Sequence, residues 1–311
     1  MGYTFFARRH DIQLSFFEGF DTPFGSEKPY KIEITAVCDK LMFTPDIRQL
    51  LRHTNGKVKS LKSNGDFRSK ECVKLLKQAD IIVTNPPFSL FREYFSMLMQ
   101  YRKQFLIVGS LNAVTYKEVF PYLKTNEVWL GNNQIKSFMQ KNGEIRSFGN
   151  IVWFTNMEYC KLYENLILDK KYSPSFYQNY DNLYAIEVSK VSDIPVDYVG
   201  VMGVPISFII KYNPKQFELI GVSTVGQTID ESLYIKKYVN AFQHNTDGTL
   251  ASGSKINTSA VIRVRDKPAG TYYTADNAVG YLINKYSRLL IKRRITKKEG
   301  KIDESSEDGS H

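Results

Sequence analysis

Cysteine and histidine are scarce in this chain of 311 residues. The three cysteines, Cys38, Cys72 and Cys160, stand far apart. They form neither a metal-ligand spacing nor a disulfide framework, and they read as a reducing, cytoplasmic setting. The four histidines, at positions 10, 53, 244 and 311, are scattered, so no histidine-based metal site is expected. No run of about 18 apolar residues occurs, which argues against a transmembrane helix. The first 21 residues carry Arg8, Arg9, Glu18 and Asp21 among their aromatics and lack the apolar stretch of a signal peptide. No internal repeat is visible.

Apolar residues and positive charge are plentiful. Hydrophobic residues make up 42% of the chain, enough for one large core or two modest ones. The formal net charge of +10 favours a polyanionic partner such as nucleic acid. Charge alone is weak grounds, and it gains weight only beside a second sign that points to a base.

That sign is Ile81-Ile82-Val83-Thr84-Asn85-Pro86-Pro87-Phe88, an apolar strand ending in an Asn-Pro-Pro-Phe corner. An amino group on a planar base is a poor nucleophile, because its lone pair is delocalised into the ring. To methylate it, a protein must accept both amino hydrogens and pull the nitrogen toward a tetrahedral shape. Asn85 offers a side-chain carbonyl, and the Pro86 carbonyl offers a second acceptor. Pro86 and Pro87 fix φ and hold both acceptors in place. Phe88 offers a flat face for an extracted base. Taken alone, Pro-Pro after a strand is also an ordinary way to start a helix.

Along the chain, periodicity predicts strands at 31–37, 80–84, 105–109, 127–130 and 150–155, with helices at 46–53, 69–78, from Ser89 to about 101, and at 115–124. Ser89 is the expected cap of the third helix, and Asn55-Gly56 an expected turn. Leu90, Phe91, Tyr94, Phe95, Leu98 and Met99 form one face of that helix and read as core. Alternating strands and helices with continuous apolar strands predict an α/β domain with a largely parallel sheet. After residue 157 the texture changes. Tyrosine and asparagine cluster up to residue 184, a short helix is expected from Asn213-Pro214, and strands at 217–222 and 259–265. The stretch 244–254 is expected to be disordered, 281–294 centres on Arg288 to Arg294, and the charged tail from residue 296 reads as disorder.

Several stretches together resemble the EcoRI-type adenine-specific DNA methyltransferases. They are Gly65-Asp66-Phe67-Arg68-Ser69, the string from Asp80 through Asn85-Pro86-Pro87-Phe88 to Phe91, and Thr115-Tyr116-Lys117-Glu118-Val119-Phe120. Val128-Trp129-Leu130-Gly131, Trp153-Phe154-Thr155-Asn156, Gly200 to Ile206, and Asn213 to Glu218 continue the series in family order. The resemblance implies an S-adenosyl-L-methionine donor and methyl transfer to N6 of a flipped adenine in duplex DNA, as in restriction-modification. By similarity Asn85, Pro86, Pro87 and Phe88 form the target-base site, and Asp66 and Phe67 contact the adenine end of the donor. Without that context Asp66 reads as a helix cap or an Asx-turn.

The resemblance also implies a Rossmann-like methyltransferase sheet. The family's cofactor loop and a second strand should precede Gly65. Phe17-Glu18-Gly19-Phe20 is the nearest match to the loop, and Asp39 to a ribose acceptor. The chain therefore reads as lacking its first strands. The expected division is a partial catalytic domain at 1–157, a target-recognition region at 158–295 and a tail at 296–311. Sequence reading is expected in 132–148, with Lys136, Lys141 and Arg146, and after residue 157. Lys292, Arg293 and Arg294 are candidates for phosphate contacts. A monomer is expected, sharing its DNA site with a cognate endonuclease without forming a complex. The alternatives are a catalytically incomplete DNA-binding remnant, and the same chemistry on another exocyclic amine or a glutamine side chain.

Overall fold

The computed structural model describes residues 5–6, 30–33, 57–131, 135–139, 144–158, 164–224 and 231–294. The expected helix at 46–53, the Asn55-Gly56 turn, Phe17 to Phe20, Asp39, Lys141 and the tail lie outside them. The chain divides into two compact units. The first comprises Met1–Ala113 and Glu127–Lys161, and the second Val114–Asn126 and Leu162–His311. Among the described residues no helix is long and apolar enough to cross a membrane.

In the first unit, β1 (Phe5–Phe6), β2 (Tyr30–Glu33) and β3 (Lys57–Ser60) pair antiparallel in that order. Helix α1 (Lys70–Gln78) follows, with Ser69 as its cap accepting from the Cys72 amide at 3.2 Å. Its buried side is Cys72 and Leu76. Strand β4 (Ile81–Thr84) leads through the Asn-Pro-Pro corner into α2 (Phe91–Gln100), and β5 (Gln104–Ser110) returns beside β4. β4 and β5 are parallel, Ile81 opposite Gln104 and Thr84 opposite Ile107. A parallel pair needs a crossover, and α2 supplies it.

The rest of this sheet corrects the expectation of a largely parallel one. β8 (Ile145–Thr155) runs antiparallel to β5, and β6 (Trp129–Leu130) and β7 (Ile135–Met139) are antiparallel to β8. The order is β4-β5-β8-β6, with β7 also on β8. Only β4 and β5 are separated by a full helical crossover here. The chain between β7 and β8 is too short for one, so it can only make a hairpin.

The core of this unit is aromatic. Phe91, Phe95, Phe105 and Phe154 are buried, with Phe91 5.2 Å from Phe154 and Phe95 5.8 Å from Phe105, ring centre to ring centre. These α2 rings pack as the helical stripe predicts, but Ser89 is no cap. Residues Phe88–Leu90 form a 3-10 turn, and α2 starts at Phe91 with no side-chain cap. Past the end of α2, Arg102 stands in the left-handed region at φ 51, and Lys103 N–H reaches back to the Leu98 carbonyl at 3.0 Å. Lys103 then bonds the carbonyls of Lys77 and Ala79, tying the start of β5 to the end of α1.

The second unit holds α3 (Phe120–Lys124) and two sheets. The expected helix at 115–124 is shorter than predicted, because Leu111–Thr115 is a 3-10 turn and Pro121 lies in the first turn of α3. A four-stranded sheet has the order β11-β17-β10-β9, from β9 (Ile186–Glu187), β10 (Met202–Pro205), β11 (Phe217–Val222) and β17 (Arg288–Arg293). Inside it Arg288 pairs with buried Glu187 at 2.8 Å, and the Tyr180 hydroxyl donates to the same carboxylate. Asn213 opens a single turn rather than a helix.

The five-stranded sheet β13-β12-β15-β16-β14 overturns the disorder expected at 244–254. It comprises β12 (Phe242–His244), β13 (Leu250–Ser252), β14 (Val261–Val264), β15 (Tyr272–Ala275) and β16 (Ala278–Asn284). β12 and β13 form a hairpin whose turn uses Gly248 at φ 83, and the Asp247 carboxylate accepts from Thr249. The polar composition reflects a turn satisfied by its own side chains.

The tightest point of the phenylalanine core is Gly109 on β5. A Cβ there would stand 2.5 Å from a Phe91 ring carbon and 2.9 Å from one of Phe154. Both rings are locked in the core, so Gly109→Ala should lower stability by about 1–3 kcal/mol. Urea unfolding followed by circular dichroism measures this, and an unchanged midpoint would contradict it.

Candidate functional site

Asn85 follows the last residue of β4, at the carboxyl end of the parallel strand pair. Open α/β sheets hold ligands at that end. Pro86 is buried, and Asn85, Pro87 and Phe88 are half-buried. Pro87 has φ −55 and ψ 127, and its carbonyl accepts from the Leu90 amide at 3.0 Å to close the 3-10 turn. Among the described residues no hydrogen bond takes the Pro86 carbonyl. The corner is thus a rigid turn that consumes one proline oxygen and leaves the other available.

The loop before α1 carries Asp66 and Phe67. Gly65 sits at φ 78, a conformation that a side chain would strain. The Asp66 amide bonds the Asn64 side chain at 3.1 Å, and the Asp66 carbonyl accepts from Ser69 at 3.0 Å. The Asp66 carboxylate is gripped by Arg68, whose Nε lies at 2.9 Å and Nη2 at 2.7 Å. Asp66 is 14% exposed and Arg68 51%. The hydrogen bond and charge of Asp66 push the Arg68 guanidinium further up from its already high pKa. Arg68 also reaches Glu93 at 3.3 Å, and Phe67 meets Tyr94 edge-to-face at 5.1 Å. Glu93 and Tyr94 lie on α2, which starts just past the corner. Loop and corner are therefore brought together across the first turns of α2.

Sequence reasoning missed this clamp. Arg68 was visible in the Gly-Asp-Phe-Arg-Ser string but had no role, and Tyr94 read as plain core. The Asp-x-Arg spacing of loop residues was the available signal. Below the clamp, the Glu71 carboxylate accepts from the Lys62 and Ser63 amides at 2.8 and 2.9 Å. The Ser63 amide first, then that of Lys62, hold the Glu71 carboxyl below the usual range.

The basic candidates separate. Lys136 and Arg146 are exposed on β7 and β8. At the end of β17, Lys292 is exposed, but the Arg294 guanidinium donates to the Phe217 carbonyl at 3.3 Å and its amide to Gln216. Arg294 thereby fastens a strand end. Among the described residues no group of three or more histidine, cysteine, aspartate or glutamate side chains is arranged to hold a metal ion, and Cys72 is a buried free thiol.

Comparison with known proteins gives the family of the chain. The family described as adenine-specific methyltransferase EcoRI matches residues 16–294. The chain is 47% identical over 183 residues to the type II methyltransferase M.EcoRI of Escherichia coli, covering 52% of this chain and 56% of that one. It is 42% identical over 186 residues to the type II methyltransferase M.MgeORF184P of Mycoplasma genitalium, covering 51% and 57%. It is 35% identical over 226 residues to the type II methyltransferase M.MpnI of Mycoplasma pneumoniae, covering 66% and 70%. The chain spans little more than half the length of the first two of these relatives. No solved structure matches it significantly.

The Glu71 anchor makes the loop sensitive to acid. A carboxylate whose folded pKa is depressed holds its partners above its unfolded pKa and releases them as pH falls through the folded one. Amide hydrogen exchange at Lys62 and Ser63 should be slow at neutral pH. Relative to intrinsic rates, it should lose protection below the ordinary glutamate value of about 4.3. Glu71→Ala should remove the protection at every pH. Protection that persists in the alanine variant would show that the loop is held elsewhere.

Proposed function

The chain belongs to the adenine-specific methyltransferase EcoRI family, and from that premise we propose that it transfers a methyl group to N6 of adenine in duplex DNA. The observation that supports this best is the Asn85 corner: a rigid turn at the carboxyl end of a parallel strand pair, with an amide side chain, an available proline carbonyl and a half-buried aromatic ring. The sheet of the first unit is read as a Rossmann-like methyltransferase sheet, residues 1–157 as the catalytic segment and 158–295 as the target-recognition region.

In a stacked duplex the adenine amino group cannot line up with a methyl donor. The base must leave the helix, at a cost of a few kcal/mol. Stacking on Phe88 would recover about 1–3 kcal/mol of this. Asn85 Oδ1 and the Pro86 carbonyl would accept the two amino hydrogens, localising the nitrogen lone pair toward the incoming carbon. Pro86 and Pro87 act by stiffness, since acceptors already aimed need no reorganisation as charge develops. The amino proton can leave after the new N–C bond forms.

The described residues fit S-adenosyl-L-methionine at its adenine end. Asp66 presents a carboxylate oriented by the Arg68 amide and guanidinium, and Phe67 offers a half-buried ring beside it. Asp66 would accept from the cofactor's amino group and Phe67 would pack on its ring. When bound, the cofactor supplies an electrophilic methyl group. Arg68 then has a positioning role, holding the Asp66 carboxylate against α2 so that loop and corner keep their spacing.

Asn85→Ala should lower methyl transfer to duplex DNA by about 100-fold or more, with duplex affinity near the parent's. Asp66→Ala should weaken cofactor affinity and leave duplex affinity unchanged. Both are read by mass analysis of nucleosides from treated DNA and by direct binding. An Asn85→Ala variant that methylates at the parent rate refutes the site. A parent chain that binds duplex but transfers nothing is the DNA-binding remnant instead.

A further inference from the structure

We infer that the ribbon formed by β7 and β8 is the arm by which this protein docks in the major groove of duplex DNA, an inference that rests on reading the Asn85 corner as a DNA-modifying site. β8 is eleven residues long, yet its pairing with β5 begins only at Ile151, opposite Ser110, the last residue of β5. Residues 145–150 therefore run on past the carboxyl end of β5. β4 lies parallel to β5, and Asn85 follows its last residue. Ribbon and corner leave the same sheet at the same edge. At about 3.3 Å per residue, the free part of β8 reaches about 20 Å beyond that edge.

A strand built only for stability hides at least one face. This one hides neither. Residues 145, 146, 147, 149 and 150 are exposed and Phe148 is half-buried. Across the pair, Lys136 and Ser137 are exposed as well. Ile145 is 68% exposed, and a Cβ added at Gly149 would meet nothing within 4 Å. The register shifts between Ile135 and Ser137, and such a bulge bends and twists a ribbon. The exposure of these described side chains points to a partner outside the fold.

The chemistry of the ribbon selects that partner. Lys136 and Arg146 are cations, and among the described residues no carboxylate forms an ion pair with either. Arg146 lies over the Phe148 ring at 5.3 Å, which holds the guanidinium out along the strand without neutralising it. Glu144, just before β8, is the acidic side chain among the ribbon's described residues. Ser137 and Ser147 face each other in register and make a narrow waist. The major groove, about 12 Å wide, admits a two-stranded ribbon, whereas the minor groove, about 6 Å wide, does not. In the groove the waist lies between the walls while Lys136 and Arg146 meet phosphates.

The test uses the full chain and a pool of short fluorescent duplexes of random sequence, with binding followed across a salt series and methyl transfer to the same pool measured alongside. K136A/R146A should bind about tenfold or more weakly at 0.1 M salt and lose about two units of salt slope, about one per phosphate contact. S147W adds bulk without charge, so it should weaken binding and leave the slope unchanged. In both variants KM for duplex should rise while kcat at saturating duplex stays near the parent's, unlike Asn85→Ala, which loses kcat. Parent-like slope in K136A/R146A, or parent-like affinity in S147W, overturns groove docking even where the parent chain methylates DNA. A parent chain that binds no duplex overturns the ribbon's role and the DNA reading together.

Discussion

The parallel pairing of β4 with β5 is the constraint from which the candidate site follows. Four residue pairs, from Ile81 opposite Gln104 to Thr84 opposite Ile107, fix where the strand stops and the corner starts. The pairing is held by the helix between them. Phe91 and Phe95 of α2 press onto Phe105 and Phe154, and Gly109 is bare because a ring occupies the space above it. A slip of one residue would turn every side chain of β4 to the opposite face. It would also move Asn85 off the sheet edge. The position of the amide is therefore set by hydrocarbon packing some distance from it. Rigid phenylalanine rings set a register more sharply than flexible aliphatic chains do, since a ring that does not fit has few other ways to turn.

The clamp of Arg68 on Asp66 and Glu93 extends that constraint to the loop before α1. Bidentate pairing of a guanidinium with a carboxylate fixes direction as well as distance. The outer half of the clamp, toward Glu93, is half exposed on both sides and contributes little to stability. Its value is geometric. It holds the Asp66 carboxylate and the Phe67 ring against the helix that issues from the corner. A carboxylate already facing one cation keeps its charge, and a charged acceptor bonds an amine more strongly than a neutral one. The Glu71 anchor beneath does the same for the loop's base, using backbone amides in place of an arginine.

The sequence made the local chemistry of the corner legible because proline and asparagine act through the backbone of their own segment. Asn85 to Phe88 could be read without knowing the fold, and so could the core face of α2. Sheet direction could not. Trp129-Leu130 and 150–155 are apolar enough to pass for buried parallel strands, and only the short connection between β7 and β8 forces antiparallel pairing. The hairpin at 242–252 was missed because its polar residues bond one another, and composition does not distinguish a self-satisfied turn from a disordered one. The reach of Arg68 to α2 was missed because Glu93 lies 25 residues away, on an element whose position depends on the register just described. The serine cap at Ser89 failed for a local reason: Pro87 forces a 3-10 turn ahead of the helix, so the capping position passes to Leu90.

The same register couples the ribbon to the corner. β8 reaches the candidate site only through β5, where Ser110 and Ile151 close the ladder. Beyond that pair, among the described residues, the ribbon pairs only with its own hairpin strand, and it leaves the sheet at the end that also carries Asn85. A protein that must place one small group against one base of a long polymer needs two kinds of stiffness. The corner must not move relative to the sheet, and prolines meet that need. The arm must adapt to a groove whose width varies with sequence, and a bulged two-stranded ribbon meets that one. Because both are rooted in one sheet with β5 between them, a shift of the arm on the duplex would be transmitted to the corner across two strand spacings, about 9.6 Å.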